Sequence, residues 1–305
     1  MAVTTTDVVR SNLRRHGVDW RGTLFEGALL FALLISLGFL VLLVGRIFSQ
    51  GLGVLTERGT SFLTGPMSSL PSRAGVWQGL TGSLVLMVLV VATAFPLGIA
   101  AAVYLEEYAP DTAFTRFITA NVRNLAGVPS IVYGLLGLAI FVKAMSRFTG
   151  GLSVISGGLT LAILVLPIVV ITASEALRAV PQAIREAGYG VGATKWEVVR
   201  SHVLPAAAPG ILTGTVLSLG RAFGETAPLI LTGAVTGVFF TGSGSLVDKL
   251  QGAYTSLPTI VYGWSRLPQE EFQRLTAAAI IVLLVMLLTV NGAAIWLRNR
   301  YERKW

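Results

Sequence analysis

Hydrophobic residues run along this chain in long blocks, with charged residues held, in all but one, to the ends of those blocks. That is neither the alternation of a half-buried strand nor the one-sided stripe of a helix lying on a soluble core. About 20 apolar residues carry a helix across the hydrocarbon of a bilayer, and six stretches approach that length. They lie between Glu26 and Arg46, around Leu80 to Tyr104, between Arg123 and Lys143, over Val154 to Ser174, over Pro209 to Leu231, and between Arg274 and Arg298. The pattern predicts an all-α membrane protein with six transmembrane helices, organised as one membrane domain (residues 23–305) behind a tail of residues 1–22. The first block follows Arg10, Arg14, Arg15 and Arg21 and so imitates a signal peptide. Its apolar run exceeds a signal h-region and no A-x-A-like site follows, so it is expected to be a retained helix.

Composition changes this picture little. Of the residues, 53% are hydrophobic and 12% charged, with a mean hydropathy of +0.74, whereas a soluble domain carries roughly 25% charged residues. The absence of cysteine excludes a disulfide framework and a thiolate metal site, and two histidines are a poor basis for zinc. A net charge of +8 would suggest nucleic acid in a soluble protein, but in a membrane chain it is explained by orientation and anionic headgroups; no nucleic-acid role is expected.

Charge does set the topology. Six spans put both termini on one side. With the termini and the second and fourth connections in the cytoplasm, that side gathers the tail arginines, Arg116, Arg123, Arg178, Arg185, Lys195, Arg200, Arg298, Arg300, Arg303 and Lys304. Both termini are therefore expected to be cytoplasmic. Trp20, Trp77, Tyr104, Tyr108, Trp264 and Trp296 fall near span ends, where amphipathic rings prefer to sit.

Glycine recurs at helix spacing on the fifth span, as Gly210-x-x-x-Gly214 and Gly220-x-x-x-Gly224, which predicts faces open to close helix approach. Pro96 and Pro167 fall inside the second and fourth spans, either as plain kinks or as places where freed carbonyls meet a neighbour or a water-lined cavity. No internal repeat or low-complexity segment stands out. Glu106, Glu107 and Asp111 form an acidic cytoplasmic cluster, expected to be solvated rather than bound to a partner. The outer connection, about residues 234–274, contains "SLPTIVYGW" and predicts either an interfacial helix or a gate.

Between spans four and five, residues 175–205 leave the membrane as "EALRAVPQAIREAGYGVGATKWEVVRSHVLP". Pro181 suits a first helical turn, Thr194 and Glu197 have the spacing of a capping box, and Gly188, Gly190 and Gly192 mark a break between two short helices. By helix pattern alone this is an amphipathic hairpin at the headgroups. Its spacing, however, resembles the signature loop of the ABC-importer permeases: Glu-Ala-Ala, three residues, Gly, nine residues, Ile, one residue, Leu-Pro. Glu186, Ala187, Gly192, Leu204 and Pro205 occupy the matching positions; Gly188 stands for the second Ala and His202 for the Ile. Gly188 costs roughly 1 kcal/mol of helix propensity relative to Ala.

Further stretches resemble one branch of that family, the phosphate-specific transporters: "PLGIAAAVYLEEYAP", "NLAGVPSIVYGLLGLAIF", "GGLTLAILVLPIVV" and "GRAFGETAPL". The wording of "NLAGVPSIVYG", "GETAPL" and the ending "NGAAIWLRNRYERKW" is similar to the A-type permease subunit rather than its C-type partner. The resemblance covers residues 76–298 best. It implies a type I ABC-importer permease architecture in the bacterial plasma (inner) membrane. Glu186, Ala187, Gly188, Gly192, Leu204 and Pro205 would then form a coupling helix that docks on an ATPase. The implied partners are one C-type permease, two ATP-binding subunits, a phosphate-binding protein outside the membrane, and inorganic phosphate. No G-x-x-x-x-G-K-[ST] loop is present, so ATP and Mg are expected on the partner ATPase and no cofactor on this chain. No catalytic triad, paired carboxylates or metal cluster suggests an enzyme.

"GRAFGETAPL" alone puts charge deep in a span. Counting from Pro209, Arg221 lies about 18 Å into the helix, near mid-bilayer, where a charge costs roughly 2.5–3.5 kcal/mol on insertion scales. Arg221 and Glu225 therefore face protein or water. Two readings stand: a self-contained i, i+4 ion pair, or a polar step for a passing oxyanion, since a guanidinium presents a planar fork that matches two phosphate oxygens. Ser130 and Tyr133 in "PSIVYG" are further candidates for that passage, the alternative for each being a hydroxyl satisfied within its own helix. Beside phosphate stand an importer of another oxyanion, sulfate or molybdate, and a secondary transporter, which also needs mid-membrane charge but does not predict the loop spacing.

Overall fold

The computed structural model describes residues 20–234 and 245–301. Arg10, Arg14, Arg15, Arg303, Lys304 and part of the outer connection lie outside the described residues. In chain order the helices are α1 (Trp20–Thr64), α2 (Trp77–Val103), α3 (Ala113–Ala126), α4 (Ser130–Gly137), α5 (Val154–Arg178), α6 (Gln182–Gly190), α7 (Lys195–Val198), α8 (Leu204–Gly224), α9 (Ala227–Leu231), α10 (Leu246–Leu250), α11 (Leu257–Ser265) and α12 (Glu270–Tyr301), with one further helical turn, Ser146–Thr149, ahead of α5. Wider π-helical turns extend α2 (Tyr104–Tyr108) and α4 (Leu138–Ala144) and join α7 to α8 (Val199–Val203). Among the described residues the sole β pairing is one bridge, Ala234 to Tyr254. Among the described residues five helices are long and apolar enough to cross a membrane, and six spans result if the bent pair α3–α4 is counted as one.

The chain divides into two compact units, Met1–Ser49 and Gln50–Trp305. The described part of the first is helical and apolar on every side: Leu29, Phe31, Leu33, Leu34, Phe39 and Leu42 are all exposed, as expected of a helix whose solvent is lipid.

In the second unit α5 is the central post, with Leu161, Leu164, Val165, Val169 and Ala173 all buried. Glycines let its neighbours approach. A Cβ at Gly98 of α2 would lie 2.7 Å from Val169, and one at Gly210 of α8 would lie 2.7 Å from the Ala176 Cβ; Gly214 rests directly on Thr172. The second glycine pair of the fifth span behaves differently from the sequence expectation. Gly220 has nothing nearer than Leu287 at 3.8 Å, and Gly224 faces open space within 4 Å. Gly210 and Gly214 are packing residues; Gly220 and Gly224 leave room.

Two helix breaks depart from the expected straight spans. The third span is not one helix from Arg123 to Lys143. α3 and α4 are bent by 104° about the Gly127–Pro129 break, because Pro129 has no N–H to continue the ladder and disfavours helical geometry before it. The fifth span does not reach Leu231. α8 ends at Gly224, Glu225 is extended (φ −79°, ψ 125°), and α9 restarts with Pro228 in its first turn. Pro96 and Pro167, in contrast, are carried inside continuous helices.

The outer connection is partly core. Tyr254 is fully buried, its hydroxyl 3.0 Å from Thr232 Oγ1, and Leu257 N–H donates to Ser83 Oγ at 2.9 Å. α11 buries Leu257, Ile260 and Trp264. Trp264 is thus not an interfacial anchor; it packs between Phe62 and Phe272 in tilted contacts, with ring centroids 6.5 and 5.9 Å away.

Candidate functional site

Arg221 occupies the last turn of α8, where the outward-facing carbonyls favour a cation. Gly210 against Ala176 and Gly214 against Thr172 fix the antiparallel register of α8 on α5. Continued one and a half to two turns, that register sets Arg221 level with Val165, at the middle of the 25-residue α5. The charge is therefore at mid-span by packing, not only by counting.

Glu225 sits beside Arg221 but is no longer on the same helix. The Arg221 Nε to Glu225 Oε1 distance is 3.6 Å, too long for a hydrogen bond, and the side chains are 42% and 16% exposed. Among the described residues the Arg221 guanidinium has no hydrogen-bond acceptor; its five N–H donors are open.

The break in span three lies next to the break in span five. Gly134 of α4 packs on the backbone of Pro228 in α9, 2.8 Å from a would-be Cβ. Tyr133 is buried. The Tyr133 hydroxyl donates to Leu125 O on α3 at 2.8 Å, so it ties the two halves of the bent span rather than bonding within its own helix. Ser130, half-buried, heads α4; its hydroxyl has no hydrogen bond among the described residues. The structure thus gathers Arg221, Glu225 and Tyr133 at two interrupted helices, with Ser130 at the start of the second half of one of them.

Below Arg221 opens a cleft of about 680 Å³ between α5, α8 and α12, lined by Thr213, Gly220, Arg221, Asn291 and Arg298 among others. Arg298 Nη1 donates to Thr213 Oγ1 at 3.3 Å, and Asn291 Oδ1 is buried with no partner among the described residues. The sequence reading missed Thr213, Asn291 and Arg298. A lone amide in the apolar run of the sixth span was the available signal for Asn291.

The 175–205 loop folds as α6 and α7. Thr194 and Glu197 cap each other's backbones as their spacing predicted. Gly192 turns the chain with φ +83°, a conformation that suits glycine. Glu186 and Ala187 are exposed, Leu204 is half-buried, and Pro205 lies in the first turn of α8. Gly188 is buried, and a Cβ there would lie 2.7 Å from Val198 Cγ2. The departure from Ala is therefore a packing requirement between α6 and α7. Tyr189, Val191 and Trp196 leave apolar surface exposed on this loop.

Glu106 and Glu107 are not a solvated cluster. Glu106 takes a bidentate pair from Arg178 (Nε to Oε2 2.6 Å, Nη2 to Oε1 2.8 Å). Glu107 accepts from Arg185 Nη2 at 2.7 Å, while Arg185 also donates to Val180 O (2.8 Å) and Leu177 O (3.0 Å) at the end of α5. Only Asp111, paired with Arg116 at 2.6 Å, is as exposed as expected.

Comparison with known proteins bears on this geometry. The family described as "Binding-protein-dependent transport system inner membrane component" matches residues 29–304. The chain belongs to this family. It is 37% identical over 266 residues (86% of this chain, 84% of the other) to the phosphate transport system permease protein PstA of Mycobacterium leprae. It is 34% identical over 183 residues to the probable ABC transporter permease YqgI of Bacillus subtilis, a match that covers 60% of this chain and 61% of that protein. A crystal structure of a bacterial ABC transporter involved in alginate import superposes with a TM-score of 0.63 over 92% of this chain and 99% of that one, at 16% identity. The chain is a transport subunit and a multi-pass membrane protein with the type I importer fold.

Proposed function

We propose that this chain is the A-type permease of an ATP-driven importer of inorganic phosphate in a bacterial inner membrane, and that Arg221 is its mid-membrane phosphate contact. The observation that carries the proposal is the open guanidinium: a cation at mid-span, between two broken helices, with its donors unused and a carboxylate 3.6 Å away. Interrupted helices at the midplane are where transporters place binding sites, because the freed backbone groups face a cavity rather than lipid. The names of the relatives, phosphate transport permeases among them, support the same substrate.

In this mechanism phosphate arrives from a binding protein and takes a bidentate bond from Arg221. Glu225 accepts a hydrogen bond from a P–OH group. At neutral pH phosphate retains a proton and sulfate does not, so a carboxylate acceptor favours the former. The looseness of the Arg221–Glu225 pair suits exchange, since conduction requires that the ion leave as readily as it enters. Release runs down the cleft past Thr213 and Asn291 to Arg298. One ATPase subunit docks on the exposed loop around Glu186, Ala187 and Gly192, and a C-type permease supplies the other half of the path and the dock for the second ATPase subunit.

The test is labelled phosphate uptake in proteoliposomes holding the full complex. Arg221→Gln should lower uptake on the order of 100-fold, the loss of about 3 kcal/mol of charge-assisted bonding, and Glu225→Gln should let sulfate compete. Wild-type uptake in both variants overturns the assignment of this pair, and uptake of sulfate in preference to phosphate by the unaltered complex overturns the substrate.

A further inference from the structure

Three consecutive residues at the end of α2 each hold a different part of the 175–205 loop. Glu106 pairs with Arg178, the last residue of α5. Glu107 pairs with Arg185 in α6, a contact whose side chains are only 13% (Arg185) and 5% (Glu107) exposed. The Tyr108 ring carries the Lys195 ammonium 5.1 Å from its centroid, at the start of α7. The partners lie 72 and 78 residues away along the chain for the two ion pairs, with α3, α4 and α5 in between.

One α-helical face does not present three neighbouring residues to three partners. The π-helical turn Tyr104–Tyr108 does, closed by Ala109 N–H donating to Tyr104 O at 2.8 Å. Its extra residue widens the turn, and such turns occur frequently at functional sites. Arg185 has four of its five donors in use: Nε and Nη2 go to Glu107, Nη1 to Val180 O, and Nη2 also to Leu177 O. A planar guanidinium fixed on two elements at once resists both sliding and rotation.

We propose that the Glu106–Glu107–Tyr108 turn is a three-pronged clamp that makes α2 move with the ATPase-docking loop. Its prongs are positioning residues rather than substrate contacts. The loop is joined by the chain itself to α5 and α8, which end and begin within it. α2 has no such chain link, only its packing on α5, and the clamp ties it to the loop directly. A displacement of α6 is thereby delivered to the loop ends of α2, α5 and α8 together, and α5 and α8 bear on the Arg221 site. The inference rests on the reading that this loop docks an ATPase.

The experiment uses the reconstituted full complex and reads three quantities: ATPase subunit retained, ATP hydrolysed, and labelled phosphate taken up per ATP. The variants are Glu107→Gln, Arg185→Lys, and the outer double Glu106→Gln/Tyr108→Leu, which spares the buried pair and so guards against misfolding of the first two. Expected is full retention of the ATPase and hydrolysis near the wild-type rate. Uptake per ATP should fall about tenfold in Glu107→Gln, equivalent to about 1.4 kcal/mol of coupling, and less in Arg185→Lys and the outer double. Unchanged uptake per ATP in the outer double overturns the clamp, as does loss of the ATPase subunit in it, which would make the turn a docking surface. If the unaltered complex binds no ATPase, it is the docking reading that fails.

Discussion

Two arginine–glutamate pairs in this protein use the same chemistry to opposite ends. Arg185 and Glu107 lie 2.7 Å apart, nearly enclosed, with the guanidinium donors distributed over a carboxylate and two backbone carbonyls. Arg221 and Glu225 lie 3.6 Å apart at the edge of a cleft, with no hydrogen bond between them. A guanidinium with four of its five donors engaged holds; one whose donors are open can receive. What separates a strut from a binding group here is the number of acceptors already within reach, not the residue type and not burial in apolar surroundings alone.

The largest expected effect on this contrast is on stability. Glu107→Ala leaves Arg185 buried without its carboxylate and should cost about 3–5 kcal/mol, visible as an early thermal transition of the purified complex in detergent. Glu225→Ala should cost clearly less, because that pair makes no hydrogen bond and Arg221 opens on a cleft. Equal losses would break the distinction.

Chemical access comes next. Phenylglyoxal, followed residue by residue with mass spectrometry, should modify Arg221 at least about tenfold faster than Arg185, in line with the energetics of opening a buried pair by some 1.4 kcal/mol or more. Phosphate should protect Arg221 alone; protection of neither would remove the receiving role.

Glu106–Arg178 is an intermediate case, bidentate but with the arginine side chain 52% exposed. Glu106→Gln should lower stability by only about 0.2–1 kcal/mol, the range for exposed pairs, by urea or thermal unfolding. A loss as large as that of Glu107→Ala would show that bidentate geometry, not enclosure, decides the strength.

Much of the architecture was legible because bilayer thickness leaves few solutions for long apolar blocks. The span expected over Val154 to Ser174, which the helix extends to Arg178, and the Thr194–Glu197 capping box follow from local rules. The breaks did not, although their punctuation is plain in retrospect: Gly127-Val-Pro129 and Gly224-Glu-Thr-Ala-Pro228. Pro96 and Pro167 have apolar residues on both sides and remain within intact helices, whereas Pro129 and Pro228 follow a glycine closely and mark ends. The pairing of Glu106 and Glu107 was hidden for a different reason. Their partners are 72 and 78 residues away, and nothing in a local window distinguishes a paired carboxylate from a solvated one. Arg221 was found because charge in an apolar run is costly wherever its partner lies.

The π-helical turn at Tyr104–Tyr108 closes a ring of i to i+5 where an α-turn closes i to i+4. It therefore differs from an ordinary helix end by a single residue, and a one-codon insertion or deletion converts one into the other. Losing Leu105 would swing Glu106, Glu107 and Tyr108 away from all three partners in one step. Along a lineage, this linkage between helix and loop would be gained or lost whole, while substitutions at its individual prongs could only tune it.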